Sequence, residues 1–277
     1  MKNGLNNNPI GIFDSGLGGL TVLKELIRIL PSENVIYFGD TARVPYGTKS
    51  ENAVKNFSRQ ITKFLIRHDV KLILVACNTA SALALSDIKK IAKNIPVVGV
   101  IKSGVRAAVY ETVNKKIGIV GTTATIKSKS YQKAVKIVNG KIKIIQQPCP
   151  LFVPLVEEGW TCGEITKDIA KIYLEPLKKA GCDVIILGCT HYPMIKKIIQ
   201  DVVGRKIKLI DSAEEVSKDV KKILSNKGLI RRARSRRYLR FYVSDAPDKF
   251  SKLSKFFLGK IISEVKKVDI EKYEFAE

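Results

Sequence analysis

The sequence lacks a long apolar run, a secretory leader and a disulfide framework. No apolar stretch approaches the ~18 residues that cross a bilayer, and the Asn-rich first eight residues contain no signal-peptide core. The five cysteines are an odd number with no C-x-x-C spacing, so reduced thiols are expected. We therefore expect a cytoplasmic protein with a short disordered start and no membrane segment.

Histidine is scarce, and phosphate-binding loops are missing. Only His68 and His191 occur, and a grouping of Cys182, Cys189 and His191 fits no usual zinc spacing. No G-x-x-x-x-G-K-[ST] loop is present, and Thr21 stands where a dinucleotide fingerprint requires its third glycine. These absences favour chemistry with neither a metal nor an organic cofactor.

Acidic residues are also scarce, which leaves a formal net charge of +23. The window 115–145 contains eight Lys, and the window 227–240 contains seven Lys or Arg, with no acid in either. Such blocks are usually solvated faces, but they can bind nucleic acid or attract a small acidic substrate. A basic nucleic-acid-binding protein therefore remains an alternative, chiefly as a side activity.

Two cysteines each follow an apolar run that is typical of a buried parallel strand. The runs 72–75 and 184–187 lead into Cys77 and Cys189, and a helical pattern follows each. Ligands of open α/β sheets bind at the carboxyl ends of strands, and a helix N-terminus can lower the pKa of a thiol. One such cysteine is usually a buried apolar residue, but two in duplicate settings favour a functional pair.

The strand, polar turn and helix recur in the same order along the chain. The pattern at 117–121 repeats that at 10–13, and Cys77 and Cys189 lie 112 positions apart. This predicts an α/β protein of two pseudo-symmetric domains, each a mostly parallel sheet flanked by helices, with the active site in the cleft between them. The first domain is expected to comprise residues 1–98 plus 211–277, and the second residues 99–210.

Periodicity and turn signals predict the remaining elements. Further strands are expected at 35–38, 96–100, 141–145, 206–210 and 239–243, and helices at 20–30, 50–68, 81–91, 163–180, 212–226 and 248–258, with one more that ends at 138. Three prolines indicate an irregular stretch at 146–160. The loop 39–47 is either a segment that covers the substrate or a plain surface turn.

Thiols on opposite walls of a cleft are suited to the inversion of a carbon centre. One thiolate removes the α-proton of an amino acid, and the opposite thiol delivers a proton to the other face. Asp14 and His191 would tune the thiols or hold the ammonium group, although Asp14 could instead cap a helix. Donors for the substrate carboxylates would come from Ser15, Asn78, Thr79 and Thr190.

Four stretches resemble the glutamate racemases of bacterial cell-wall synthesis, in the aspartate/glutamate racemase family. They read GIFDSGLGG at 11–19, YFGDTARVPYG at 37–47, ACNTA at 76–80 and LGCTHYP at 187–193. The resemblance implies cofactor-independent racemisation of L-glutamate to D-glutamate for peptidoglycan, with Cys77 acting on D-glutamate and Cys189 on L-glutamate. It also implies a homodimer. An aspartate racemase with the same two thiols is the alternative enzyme.

The resemblance assigns further residues to the site. Asp14 and His191 join the two cysteines as catalytic residues. The residues expected to contact the substrate are Asp14, Ser15, Tyr46, Gly47, Asn78, Thr79, Thr190 and His191.

Overall fold

The computed structural model describes residues 5–232, 235–260, 262 and 264–274. Within these ranges the strands form two sheets in which every neighbouring pair is parallel. The predicted disordered start lies outside the described residues at 1–4, and Leu5–Asn7 forms a short 3-10 turn. No helix in the described ranges is long and apolar enough to cross a membrane.

The strands divide between the sheets by position in the chain. Those of the first sheet are β1 Ile10–Asp14, β2 Val35–Gly39, β3 Leu72–Val75, β4 Val97–Gly99, β9 Leu239–Val243 and β10 Val265–Lys267; those of the second are β5 Lys116–Gly121, β6 Lys143–Pro148, β7 Val184–Gly188 and β8 Lys208–Asp211. The first sheet has the order β10-β9-β2-β1-β3-β4, and the second has β6-β5-β7-β8. The last four strands of the first sheet therefore repeat the order of the whole second sheet, which confirms the predicted duplication.

Helices flank both sheets. They are α1 Leu20–Ile29, α2 Glu51–Ile66, α3 Asn78–Leu83, α4 Leu85–Ala92, α5 Val100–Glu111, α6 Thr123–Lys127, α7 Ser130–Val138, α8 Phe152–Glu157, α9 Glu164–Lys179, α10 Lys196–Val203, α11 Ser212–Asn226 and α12 Pro247–Leu258. Ser50 caps α2 by accepting a hydrogen bond from the Ala53 amide, as its sequence position predicts. Asp211 caps α11 in the same way.

The duplicated strands β1 and β5 both carry a glycine where a helix packs closely on the sheet. Gly11 pairs with Ile73 of β3, and Gly118 pairs with Ile185 of β7. A Cβ on Gly11 would lie 2.9 Å from Val70 Cγ1, and one on Gly118 would lie 2.4 Å from Leu177 Cδ2. Strands β1, β2, β3 and β7 are buried along their whole length, as parallel strands covered on both faces should be.

The chain passes between the sheets at two adjacent points. One lies between β4 and α5 and the other between β8 and α11. Helices α5 and α11 pack together, with Ser103 Oγ donating to Asp219 Oδ2 at 2.5 Å. A Cβ on Gly104 would lie 2.3 Å from Ser212 Oγ. The domain boundaries at 98/99 and 210/211 stay a prediction.

The structure corrects the prediction for 146–160. Strand β6 runs to Pro148, which an edge strand tolerates because its missing N–H faces no partner. A helix, α8, then forms with Pro154 in its first turn, where the absent N–H is not needed. The prolines therefore mark the end of one element and the start of the next. The helix that they made hard to predict carries a residue of the candidate site.

Two predicted helices also differ from the structure, and one short strand was not predicted. The helix expected at 81–91 begins earlier and is two helices, α3 and α4. The helix ending at 138 is broken at Lys129, which has a left-handed φ of 57°. The strand β10 was not predicted, because three residues give too short a pattern.

The basic run 227–240 is partly structural. Arg231 is buried, its amide donates to Glu33 Oε1 at 2.9 Å, and its guanidinium donates to the carbonyl of Ser32 at 2.8 Å. Glu33 also holds the buried Lys71 ammonium at 2.5 Å. Arg234 lies outside the described residues. Nucleic-acid binding by this run stays a prediction.

Candidate active site

Cys77 lies at the carboxyl edge of the first sheet, between β3 and α3. It is the N-cap residue of α3, and its Sγ accepts a hydrogen bond from the Ala80 amide at 3.4 Å. The same sulfur lies 3.8 Å from Ser15 Oγ in the turn after β1. Two neighbouring strand ends of the first sheet therefore meet at this thiol.

At Cys77 the helix N-terminus lowers the pKa as expected, but burial outweighs it. Burial raises the pKa of Cys77 to about 12, and the Asp14 carboxylate adds to the rise. The hydrogen bonds with Ala80 and Ser15 act in the opposite direction but are outweighed. Cys77 is therefore a protonated thiol at neutral pH, which suits it to donate a proton.

Cys189 lies at the matching edge of the second sheet, directly after β7, and has different neighbours. Its Sγ lies 3.8 Å from His191 Nδ1, and His191 Nε2 lies 3.0 Å from Glu157 Oε1. Burial lowers the pKa of His191, but the hydrogen bonds and charges of Cys189 and Glu157 outweigh it and raise the pKa to about 10. His191 therefore lies between a sulfur and a carboxylate that both favour its protonated form.

The two halves meet through the turn that follows β1. Thr190 Oγ1 donates to Asp14 Oδ2 at 3.2 Å, and Asp14 Oδ1 accepts from the Gly16 amide at 3.0 Å. A Cβ on Gly18 would lie 2.3 Å from Thr190 Oγ1 and 2.6 Å from His191 Nδ1, so only glycine allows this approach. The turn after β1 is thus fitted against the loop that carries Cys189.

Asp14 is not simply a helix cap. The N-cap residue of α1 is Gly19, which has no side chain of its own, and the Asp14 carboxylate interacts with the Gly19 backbone. Burial raises the pKa of Asp14, and the positive charge of His191 partly offsets the rise. A buried carboxylate that contacts the opposite half is more than a local cap requires.

A second contact between the halves lies beside Cys77. Thr79 Oγ1 lies 3.0 Å from Thr122 Oγ1 and 3.1 Å from Thr125 Oγ1, and the latter two lie 2.9 Å apart. Thr79 belongs to the first half, and the other two hydroxyls begin α6 of the second. The contact around Asp14 is repeated here with the two halves exchanged. There the turn after β1 meets the loop after β7, and here the turn after β5 meets the loop after β3.

The loop 39–47 is not a plain surface turn. The Tyr46 hydroxyl donates to Asp40 Oδ2, and Arg43 Nε and Ser244 Oγ donate to the same carboxylate at 2.8 and 2.7 Å. A Cβ on Gly47 would lie 2.5 Å from Thr122 Cβ, across the division between the halves. Whether the loop covers a substrate stays a prediction.

The structure gathers the predicted site residues at the edge where the carboxyl ends of both sheets face each other. Cys77 Sγ lies 3.8 Å from Ser15 Oγ, and the adjacent Asp14 accepts a hydrogen bond from Thr190, the neighbour of Cys189, so both thiol loops border the turn after β1. The residues brought together by the contacts above are Asp14, Ser15, Tyr46, Gly47, Cys77, Thr79, Cys189, Thr190 and His191, and Asn78 joins them through Tyr131 of α7. In the described part of the chain no three His, Cys, Asp or Glu side chains are grouped to hold a metal ion.

Four residues of the site were not predicted as site residues: Thr122, Thr125, Tyr131 and Glu157. The first two could have been found, because the turn after β5 repeats the position of Asp14 and Ser15 in the duplicated pattern. Nothing in the sequence pointed to Glu157, because three prolines led us to predict an irregular stretch there. Tyr131 reads as an ordinary apolar position of a helix.

Comparison with known proteins gives a consistent result. A family model described as Asp/Glu/Hydantoin racemase matches residues 10–218. The chain is 48% identical over 262 residues to the glutamate racemase of Geobacter metallireducens, covering 95% of this chain and 97% of that protein.

Two solved structures are similar throughout. The glutamate racemase of Francisella tularensis, in complex with D-glutamate, is 41% identical with a TM-score of 0.92, covering 97% of this chain and 100% of that one. The glutamate racemase of Thermus thermophilus, in complex with β-chloro-D-alanine, is 42% identical with a TM-score of 0.87, covering 96% and 99%.

Proposed function

The chain belongs to the Asp/Glu/hydantoin racemase family, and on that premise we propose that it racemises glutamate with Cys77 and Cys189 as its two bases. The observation that carries the proposal is the pair of thiols after the equivalent strands β3 and β7 of a duplicated sheet. A reaction that treats the two faces of one carbon alike needs such a pair. Glutamate is the substrate in the names of the similar proteins.

In the direction from L- to D-glutamate, Cys189 removes the α-proton. The imidazolium of His191 lies beside its sulfur and is the positive charge that a thiolate there requires. Cys77, held protonated by burial, delivers a proton to the opposite face. The roles exchange in the reverse direction, and proton exchange with solvent resets the two thiols.

The substrate carboxylates need donors, because charge builds up on the α-carbon as its proton leaves. Ser15, Asn78 and Thr79 supply them on the Cys77 side, and Thr190 supplies one beside Cys189. Tyr46 and Gly47 close this part of the site. Asp14 faces the substrate ammonium, since this carboxylate accepts a hydrogen bond from Thr190 of one thiol loop and raises the pKa of Cys77 in the other.

The mechanism also bears on the compartment and the assembly. Two reduced thiols are required, and the cysteines of the structure are unbridged, which supports the cytoplasm as the place of action. D-Glutamate made there would serve peptidoglycan synthesis, as in the family. A homodimer is part of the same proposal.

The two-base mechanism is tested with 3-chloroglutamate, from which removal of the α-proton expels chloride. The elimination needs only the abstracting thiolate, so it isolates one half of the reaction. Cys77→Ser should eliminate chloride from the L-analogue and not the D-analogue, and Cys189→Ser should do the reverse. Racemisation of glutamate, followed by circular dichroism, should fall about a thousandfold or more in both variants.

Two outcomes would contradict the proposal. Equal loss of elimination on both enantiomers in both variants would exclude one base for each face. Near-normal racemisation in either variant would remove that cysteine from the mechanism. The aspartate alternative is tested by kcat/KM of the unaltered chain for both amino acids, and we expect glutamate to be strongly preferred.

A further inference from the structure

We propose that Tyr131 is a positioning residue that holds the side-chain amide of Asn78 with its NH2 group toward the cleft and so selects a carboxylate. The inference rests on the proposed function, because it concerns how glutamate is bound. Tyr131 belongs to α7 of the second half, and Asn78 begins α3 of the first, so their contact joins the halves beside the site.

The hydrogen bond sets the polarity of the amide. The Tyr131 hydroxyl donates to Asn78 Oδ1 at 2.6 Å, and an amide oxygen accepts but does not donate. Burial raises the pKa of Tyr131 above its usual value, so the phenol keeps the proton that it donates. With Oδ1 engaged, the two hydrogens of Nδ2 are the polar groups that Asn78 has left to offer.

We assign Nδ2 to the substrate. Among the described residues no protein group accepts a hydrogen bond from it, and it is not one of the fully buried polar atoms that lack a partner. An N–H donor toward the substrate favours a carboxylate, whereas an amide oxygen in that place would repel it and favour an ammonium group. The orientation of one amide therefore decides which end of the substrate this wall accepts.

The ring of Tyr131 ties this orientation to the other thiol loop. Tyr131 is fully buried, and a Cβ on Gly188 would lie 3.2 Å from its Cε2. Gly188 immediately precedes Cys189, and Asn78 immediately follows Cys77. The ring thus rests on one thiol loop while its hydroxyl holds the other, so the hydroxyl keeps its place only when the two loops are correctly spaced.

Tyr131→Phe tests the proposal, because it keeps the ring and removes the donor. We expect the KM for D-glutamate to rise about tenfold, which corresponds to ~1.4 kcal/mol of binding, with kcat within about twofold of the unaltered chain. In an Asn78→Ala background the same substitution should change KM by less than about twofold, because no amide remains to be oriented. An equal rise in both backgrounds would overturn the proposal, since the Tyr131 hydroxyl would then act through a group other than Asn78.

A second pair of variants keeps Tyr131 and tests whether a substrate carboxylate lies at this position. Asn78→Asp places an oxygen where Nδ2 stood, so its KM should exceed that of Asn78→Ala by about tenfold or more, from the repulsion of two carboxylates. If the Asp variant binds glutamate as well as the Ala variant does, no substrate carboxylate lies against this side chain and the proposal is wrong. This pair decides the question even if Tyr131→Phe does not fold.

The unaltered chain, measured alongside, separates this inference from the proposed function. A chain that folds but does not racemise glutamate would refute the proposed function, on which the inference rests. A chain that racemises glutamate with a KM independent of Tyr131 would refute the inference alone.

Discussion

The loops that follow β3 and β7 occupy equivalent places in the two sheets but surround their thiols differently. Two residues after Cys77 stands Thr79, whose hydroxyl meets two other hydroxyls. Two residues after Cys189 stands His191, which links the thiol to Glu157. Duplication of the fold has therefore preserved the position of each sulfur while its electrostatic surroundings have diverged.

The difference indicates a division of labour within a reversible reaction. Burial and Asp14 keep Cys77 protonated, whereas Cys189 has a cation beside it. Before L-glutamate binds, one thiol is thus suited to give a proton and the other to take one. Since the equilibrium constant between enantiomers is one, kcat/KM must be equal in both directions, so the asymmetry is best isolated in an irreversible half-reaction such as elimination.

His191→Asn should give the largest effect on this comparison. Loss of the imidazolium removes the positive charge beside Cys189, and elimination from L-3-chloroglutamate should fall about a hundredfold. Elimination from the D-analogue should fall less. The matched variant is Thr79→Val at the equivalent place beside Cys77, which should weaken substrate use only about threefold. Similar losses on both enantiomers in His191→Asn would show that the two loops are not specialised.

Gly18→Ala and Gly47→Ala should each reduce racemisation about tenfold, as expected when reacting groups are displaced by a fraction of an ångström. The new methyl of Gly18→Ala would strike Thr190 and His191, and that of Gly47→Ala would strike Thr122. The first should therefore impair L-elimination more, and the second D-elimination. Gly140→Ala is the control, because its Cβ would meet only a backbone oxygen at 3.8 Å. Identical profiles for the two site variants would contradict separate contacts.

Glu157→Gln should change the pH dependence more than the rate at neutral pH. The pKa of His191 is raised to about 10, so its positive charge is present through neutral pH and is lost as the pH rises through about 10. Without the carboxylate this pKa should fall, and L-elimination should decline at a lower pH than in the unaltered chain, with about a threefold loss near pH 8. Glu158→Gln, one residue further and exposed, should leave the profile in place. An unmoved profile in Glu157→Gln would remove His191 as the controlling group.

Much of the fold could be predicted because parallel strands give continuous apolar runs. The runs before Cys77 and Cys189, and their shared order with the strands at 10–13 and 117–121, were sufficient for two duplicated sheets and one cleft. The predicted site residues came together because each lies at a strand's carboxyl end, which the sequence makes visible.

The parts that failed depend on packing between distant segments. Glu157 lies 34 positions before His191 and reaches it only through the tertiary fold. The pKa of Cys77 depends on burial and on Asp14, which comes from another strand end, and these outweigh the local helix that the sequence does indicate. The local sequence pattern therefore shows where the reactive groups lie, whereas packing between distant segments determines their pKa values.

The adjacent passages of the chain between the sheets, before α5 and before α11, have a mechanical consequence. Two neighbouring connections have the geometry of a hinge, about which we expect the halves to rotate. We expect such a rotation to separate Asp14 from Thr190 and Thr79 from Thr122 together, so that both walls release the substrate in one motion. Each of these contacts is between polar groups, so water can replace the hydrogen bonds that opening breaks.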